Sequence, residues 1–134
     1  MFSSMTKSTA EKLFRQQLSE FRKYFALKGV RLVVHKQFFT PGCKNFRDVA
    51  WADPNDMTVN IVERVLGFSD NSVTALFRHE IAHLCDSFRD TDGKEQRADD
   101  IAELVFGKKI RYSGPHKIQT LGEGEYPRPK ELHS

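Results

Sequence analysis

The residues best equipped for chemistry are consecutive: His79-Glu80-Ile81-Ala82-His83. On an α-helix, residues four apart lie one turn apart on the same face, so the two imidazoles can converge on one cation. Glu80 lies about 100° round the helix from His79, where it can reach a water beside that cation without ligating it. Imidazole nitrogen suits a borderline-soft ion with no redox chemistry, so Zn2+ is the expected cofactor. Zinc brings the pKa of water towards about 7. Glu80 would then act as the base, taking a proton as the water attacks a carbonyl and delivering it to the leaving amine. The expected reaction is hydrolysis of a peptide bond.

With five His and nine Glu among 134 residues, a random arrangement would contain HExxH roughly 1% of the time. The flanking pattern adds to the signal. Phe77, Ile81, Leu84 and Phe88 mark one apolar stripe, and the two histidines project about 150° from its centre. The helix is thus expected to pack by one side and present the histidines on the other. The competing reading is two unremarkable histidines on an ordinary helix. A catalytic zinc wants three protein ligands and an open fourth position. Glu95 is the candidate third ligand, at the edge of an apolar face formed by Ala98, Ile101, Ala102 and Val105. Asp99, one turn further, is the candidate acceptor for the free N–H of a ligating histidine. Against this, both are ordinary surface acids on a helix that also holds Asp100 and Glu103.

These residues need elements to position them. Residues 8–28 read as an amphipathic helix, with Ser8-Thr9-Ala10-Glu11 as a capping box, Phe14, Leu18, Phe21 and Phe25 on one face, and Gly29 as the stop. Residues 30–35 read as a short strand that includes His35, to which no role is given. A loop follows over residues 36–47. Residues 49–52 and 57–62 then flank the turn former Asp53-Pro54-Asn55-Asp56 and predict a hairpin, with Trp51 and Val59 packing it. An edge strand there could bind an extended peptide by strand addition. The HExxH helix begins after Ser69-Asp70-Asn71-Ser72 and runs to about Phe88. Asp90-Thr91-Asp92-Gly93 is a turn, and a third helix spans residues 94–106, closed by Gly107. The expected fold is α+β and minimal zincin-like: a small sheet with an edge hairpin, packed on three main helices. Residues 1–107 form the domain, and residues 108–134 a flexible or wrapping C-terminal tail. Within that tail, Tyr112 and His116 are the residues suited to stabilising an oxyanion, or else are ordinary tail residues.

Composition sets the outer bounds. One domain is the natural content of 134 residues. A charged fraction of 29% argues against a membrane protein, and no apolar run approaches the roughly 18 residues of a transmembrane helix. The N-terminus has no continuous apolar stretch of the signal-peptide kind, and Cys43 and Cys85 are few for a small secreted domain. A cytoplasmic protein is therefore expected, with Cys85 as a small core residue. The net charge of +3 divides unevenly: residues 1–47 hold ten Lys/Arg and two Glu, residues 48–106 five against thirteen acids, and residues 107–134 six against three. A basic end beside an acidic middle fits an intramolecular arrangement better than a nucleic-acid partner, since no arginine-rich arm or familiar nucleic-acid motif is present. The sequence leaves the oligomeric state open.

The stretch Glu95-Gln96-Arg97-Ala98-Asp99-Asp100-Ile101-Ala102, following HExxH, resembles the ligand helix of gluzincins, in particular the small ImmA/IrrE-type metallopeptidases. The likeness is close over residues 72–106 and loose over residues 30–107. It implies zinc held by His79, His83 and Glu95, with Glu80 as base and polariser and Asp99 orienting a histidine. The substrate would be a protein or peptide, in an intracellular partner. The interval from His83 to Glu95 is short, so the connecting turn must be tight. A second resemblance is to peptide deformylases, which also place HExxH on a helix but draw the third ligand from an upstream cysteine. Pro41-Gly42-Cys43 and residues 76–84 look similar, while the Glu-Gly-Cys-Leu-Ser segment and the glycine-rich N-terminal motif of that family are absent. SprT-type proteases are a weaker match, because they use a downstream histidine and only His116 and His133 lie downstream. Outside the enzymes stands a partner-binding protein stabilised by structural zinc, with the basic helix doing the recognition.

Overall fold

In a computed structural model of the chain, described for residues 5–36, 49–88, 91–113 and 118–121, three helices pack with a mixed three-stranded sheet and a two-stranded hairpin. The first helix, α1 (Lys7–Phe21), is capped by Thr6, whose hydroxyl accepts from the Thr9 amide. The cap therefore falls two residues before the serine offered by the sequence. Its stripe of Phe14, Leu18 and Phe21 is buried, as the spacing predicts. The helix ends at Phe21 rather than near residue 28. Past Phe21 the chain turns, the Arg22 side chain holding the Leu27 carbonyl at 3.1 Å. Gly29, with φ +69°, then directs it into the sheet. Phe25, the last residue of the expected stripe, lies in that turn and is only half-buried.

The sheet contains β1 (Arg31–His35), β2 (Ala50–Asp53) and β3 (Thr58–Val62) in the order β1-β3-β2, with β1 parallel and β2 antiparallel to β3. The predicted hairpin is β2–β3. Its register pairs Trp51 with Asn60 and Asp53 with Thr58. Asp53 builds the turn by accepting the Asn55 and Asp56 amides at 3.0 and 3.3 Å, a side-chain mimic of a backbone turn. Val59 and Ile61 of the central strand are fully buried. His35 is tied into the sheet by a 2.9 Å hydrogen bond with Asn60 and by stacking on Trp51.

After a 3-10 turn over Glu63–Gly67 comes α2 (Asp70–Cys85), capped by the Ser69 hydroxyl. It is followed by α3 (Lys94–Phe106), which runs between two left-handed glycines, Gly93 and Gly107. Edge-to-face pairs Phe14–Phe77 and Phe21–Phe106 join α1 to α2 and α1 to α3. Two strands, β4 (Ile110–Ser113) and β5 (Ile118–Leu121), form an antiparallel hairpin in the stretch offered above as a tail, and β5 packs against α2. Residues 122–134 lie outside those described. No helix among the described residues is long and apolar enough to cross a membrane.

One expectation for α2 is corrected. The stripe of Phe77, Ile81 and Leu84 is buried, but so is nearly every other side of the helix, including Arg78, His79 and Glu80. The side opposite the stripe does not face open water, because α3 and β5 also pack on α2. The helix also stops at Cys85. Phe88 lies beyond it, 62% exposed, beneath the Arg97 guanidinium.

Candidate metal centre

The i, i+4 spacing on α2 brings the imidazoles of His79 and His83 edge to face, with centroids 4.6 Å apart and Nε2 atoms 3.0 Å apart. The potential donor atoms of His79, Glu80 and His83 all lie within 4.8 Å of one another. Glu95, in the first turn of α3, reaches the same point. Its Oε1 is 3.0 Å from His79 Nε2 and 2.6 Å from His83 Nε2. Glu95, unlike Glu80, touches both imidazole nitrogens. The sequence-predicted set of His79, Glu80, His83 and Glu95 is thus assembled in one place.

The turn between the helices is held by Arg97, which the sequence reading passed over. Asp86, at the C-terminus of α2, accepts the Phe88 amide at 3.1 Å and Arg97 Nε at 2.9 Å. Arg97 Nη1 also donates to the Asp92 carbonyl at 2.7 Å. Gly93 begins α3 with φ +74°, a conformation that a side chain would strain. These contacts shape the short link that delivers Glu95 beside His83.

Behind His79 stands Asp99. Its Oδ1 is 2.7 Å from His79 Nδ1, so the ring's other nitrogen is turned toward Glu95 and His83. Asp99 Oδ2 accepts a 2.7 Å hydrogen bond from the Tyr112 hydroxyl on β4. The tyrosine considered for an oxyanion therefore directs its proton to Asp99. A further buried contact was missed at sequence level: Arg78 lies 3.7 Å over the Phe106 ring and donates to Gln17 at 2.8 Å, linking α2 to both neighbouring helices. No signal of period or motif marks it, since a charged residue within a helix ordinarily reads as surface.

The electrostatics follow from crowding donors in a small dry space. Burial disfavours charge on His79, but its hydrogen bonds to Asp99 and Glu95 and the nearby acid charges outweigh it and raise the imidazole to about 9. Burial pushes the Glu80 carboxyl up to about 7, against the pull of His79. Burial, then the charge on His79, push His83 down. Glu95 is held at about 2, chiefly by its hydrogen bond to His79. The Cys85 thiol is pushed up to about 12 by burial, which leaves it inert. Cys43 lies outside the described residues, as do His116 and His133.

The donor atoms suit a zinc ion. His79 Nε2, His83 Nε2 and Glu95 Oε1 form a triangle with edges of 3.0, 3.0 and 2.6 Å. Three ligands of a tetrahedral zinc stand about 3.3 Å apart, so spreading the edges by about 0.3 to 0.7 Å accommodates the ion. Three lone-pair atoms this close repel unless a proton or a cation lies among them.

Against solved structures, the chain matches the crystal structure of the metallopeptidase zymogen of Pyrococcus abyssi abylysin, with a TM-score of 0.51 over 92% of this chain and 87% of the other. The two chains share a fold. At 18% identity the likeness is one of architecture; the His79-Glu80-x-x-His83 cluster is observed in this chain. No family model matches the sequence, and no curated protein does.

Proposed function

We propose that this chain is a zinc-dependent metallopeptidase of gluzincin type, with His79, His83 and Glu95 as ligands and Glu80 as the base. The observation that carries the reading is the convergence of Glu95 Oε1 on both imidazole Nε2 atoms, at 3.0 and 2.6 Å. Two neutral imidazoles and one carboxylate would leave the site a net charge of +1 and its Lewis acidity. A zinc ion bound there would polarise a carbonyl and acidify water. The protein's own groups supply the rest. Glu80 is buried against the cluster, and without a metal its carboxyl is raised to about 7; as the base it takes and returns a proton. A cation beside it would draw that value down and keep the base ionised. Asp99 holds His79 Nδ1 and so fixes which nitrogen faces the metal.

The proposed substrate is a peptide bond in a specific intracellular protein partner. In support, β2 is an edge strand among the described residues and packs beside α2. An extended segment could add to the sheet at β2. The decisive experiment compares Glu80→Gln with wild type. The variant should keep zinc and fold while losing proteolysis by a factor of about 100 or more, the usual contribution of a positioned base. Partners trapped by Glu80→Gln in cells are then offered to the wild type. If none is cut, and Glu80→Gln still supports the cellular role, a non-enzymatic zinc-stabilised binding protein replaces the peptidase reading.

A further inference from the structure

We propose that Tyr112 is a positioning residue of the metal centre, acting through Asp99 on His79. The proposal rests on the reading of His79 as a ligand. A carboxylate held by one hydrogen bond can still swivel about its last torsion, and the imidazole it supports swivels with it. Asp99 is held by both oxygens: Oδ1 by His79 Nδ1 and Oδ2 by the Tyr112 hydroxyl, each at 2.7 Å. The plane of the carboxylate is therefore set from two sides. The two partners come from different elements, His79 from α2 and Tyr112 from β4. The circuit closes through the hairpin, since β4 pairs with β5 and β5 packs back on α2. The C-terminal hairpin is thereby joined to the aim of His79 Nε2, although Tyr112 itself is half-exposed.

A phenol has one proton to donate. Directed at Asp99, it serves to orient a ligand rather than to stabilise charge on a substrate, and the two roles give different results. Tyr112→Phe keeps the ring and removes only the hydroxyl. Removing the direct partner of a ligating histidine typically weakens metal affinity about 10- to 100-fold, and a group one step further out should cost about 3- to 10-fold.

The test uses the full chain. Zinc affinity is measured by competition with a chelator, for wild type, Tyr112→Phe, Asp99→Asn and the double variant. Spectra of the cobalt-loaded forms are recorded, and metal-free melting is followed in parallel. The expected result is about a 3- to 10-fold loss of affinity in Tyr112→Phe and an altered cobalt spectrum, with metal-free melting lowered only slightly. No further loss should follow when Tyr112→Phe is added to Asp99→Asn. Wild-type affinity and spectrum in Tyr112→Phe would overturn the proposal. So would losses that simply add to those of Asp99→Asn, or a fall in kcat with metal affinity intact, which would mark an oxyanion role. Should the wild type take no metal, the peptidase reading fails by itself. The positioning claim is then judged on the metal-free protein, where the His79 ring nitrogen resonances must shift in Tyr112→Phe; unchanged resonances overturn it.

Discussion

Glu95 Oε1 lies 2.6 Å from His83 Nε2, yet the two residues sit on different helices twelve positions apart. The contact depends on the α2–α3 turn as much as on either side chain. Glu95→Ala should therefore weaken zinc binding by a factor of about 100 or more, as expected when one of three protein ligands is lost. Cys43→Ser should leave it unchanged. Chelator competition on both variants measures this, and the reverse pattern would favour a deformylase-like site.

The turn itself can be tested through Arg97, which bridges Asp86 and the Asp92 carbonyl. Hydrogen bonds to charged groups contribute ~1.5–3 kcal/mol when buried, and this partly exposed set should contribute about 1–2 kcal/mol. Arg97→Met should lower stability in urea by about that amount and reduce zinc affinity, although Arg97 touches no proposed ligand. Unaltered zinc affinity would show that Glu95 reaches the histidines without the clamp.

Metal-free and zinc-loaded protein should respond to pH in opposite directions. His79 is raised from 6.5 to about 9, so between these values the folded state holds a proton that the unfolded state has lost. Its contribution to stability is complete below about 6.5 and declines as pH rises to about 9. Glu95 works from the other side: held at about 2 against an ordinary 4.5, it contributes above 4.5, and the contribution fades as pH falls towards 2. Zinc must displace the His79 proton, so its affinity should climb about tenfold per pH unit over the same 6.5–9 window. Urea titrations of the metal-free protein, paired with zinc titrations at each pH, check both slopes.

Glu80 gives a fourth expectation, independent of catalysis. Its carboxyl is raised to about 7 from 4.5 by burial, so ionising it costs folding free energy as pH rises between these values. Glu80→Gln removes that cost. The metal-free variant should gain stability over the wild type progressively from pH 4.5 to 7 and show little advantage below that. A constant difference across the range would mean that Glu80 titrates in the folded protein as it does in the unfolded chain.

How much of this was legible in the sequence depended on whether the relation was local. His79, Glu80 and His83 could be read because helical geometry alone fixes their spacing. Glu95 and Asp99 could be read because they stand four apart on a helix whose end Gly107 marks. The end of α1 was misjudged because Phe25 continues the apolar period, whereas the Arg22–Leu27 contact that accompanies the turn is not periodic. The burial of α2 on its histidine side was missed because a pattern shows which face is apolar, not what covers the other. Tyr112 lay in a stretch too polar to announce strands, and its tie to Asp99 spans thirteen positions and two elements.

The parallel pairing of β1 with β3 has a kinetic consequence. It matches Arg31 with Thr58, across a long intervening segment, and contacts of that kind form late because the chain must first close a large loop. The proposed donors all fall between His79 and Glu95, on neighbouring helices joined by a short link. Closing that smaller loop costs less entropy, by about 0.6 kcal/mol for each halving of length. The helical pair is thus the part of the chain able to gather its donors before the sheet is complete. Zinc present during refolding should then speed acquisition of the α2–α3 contacts more than pairing of the strands.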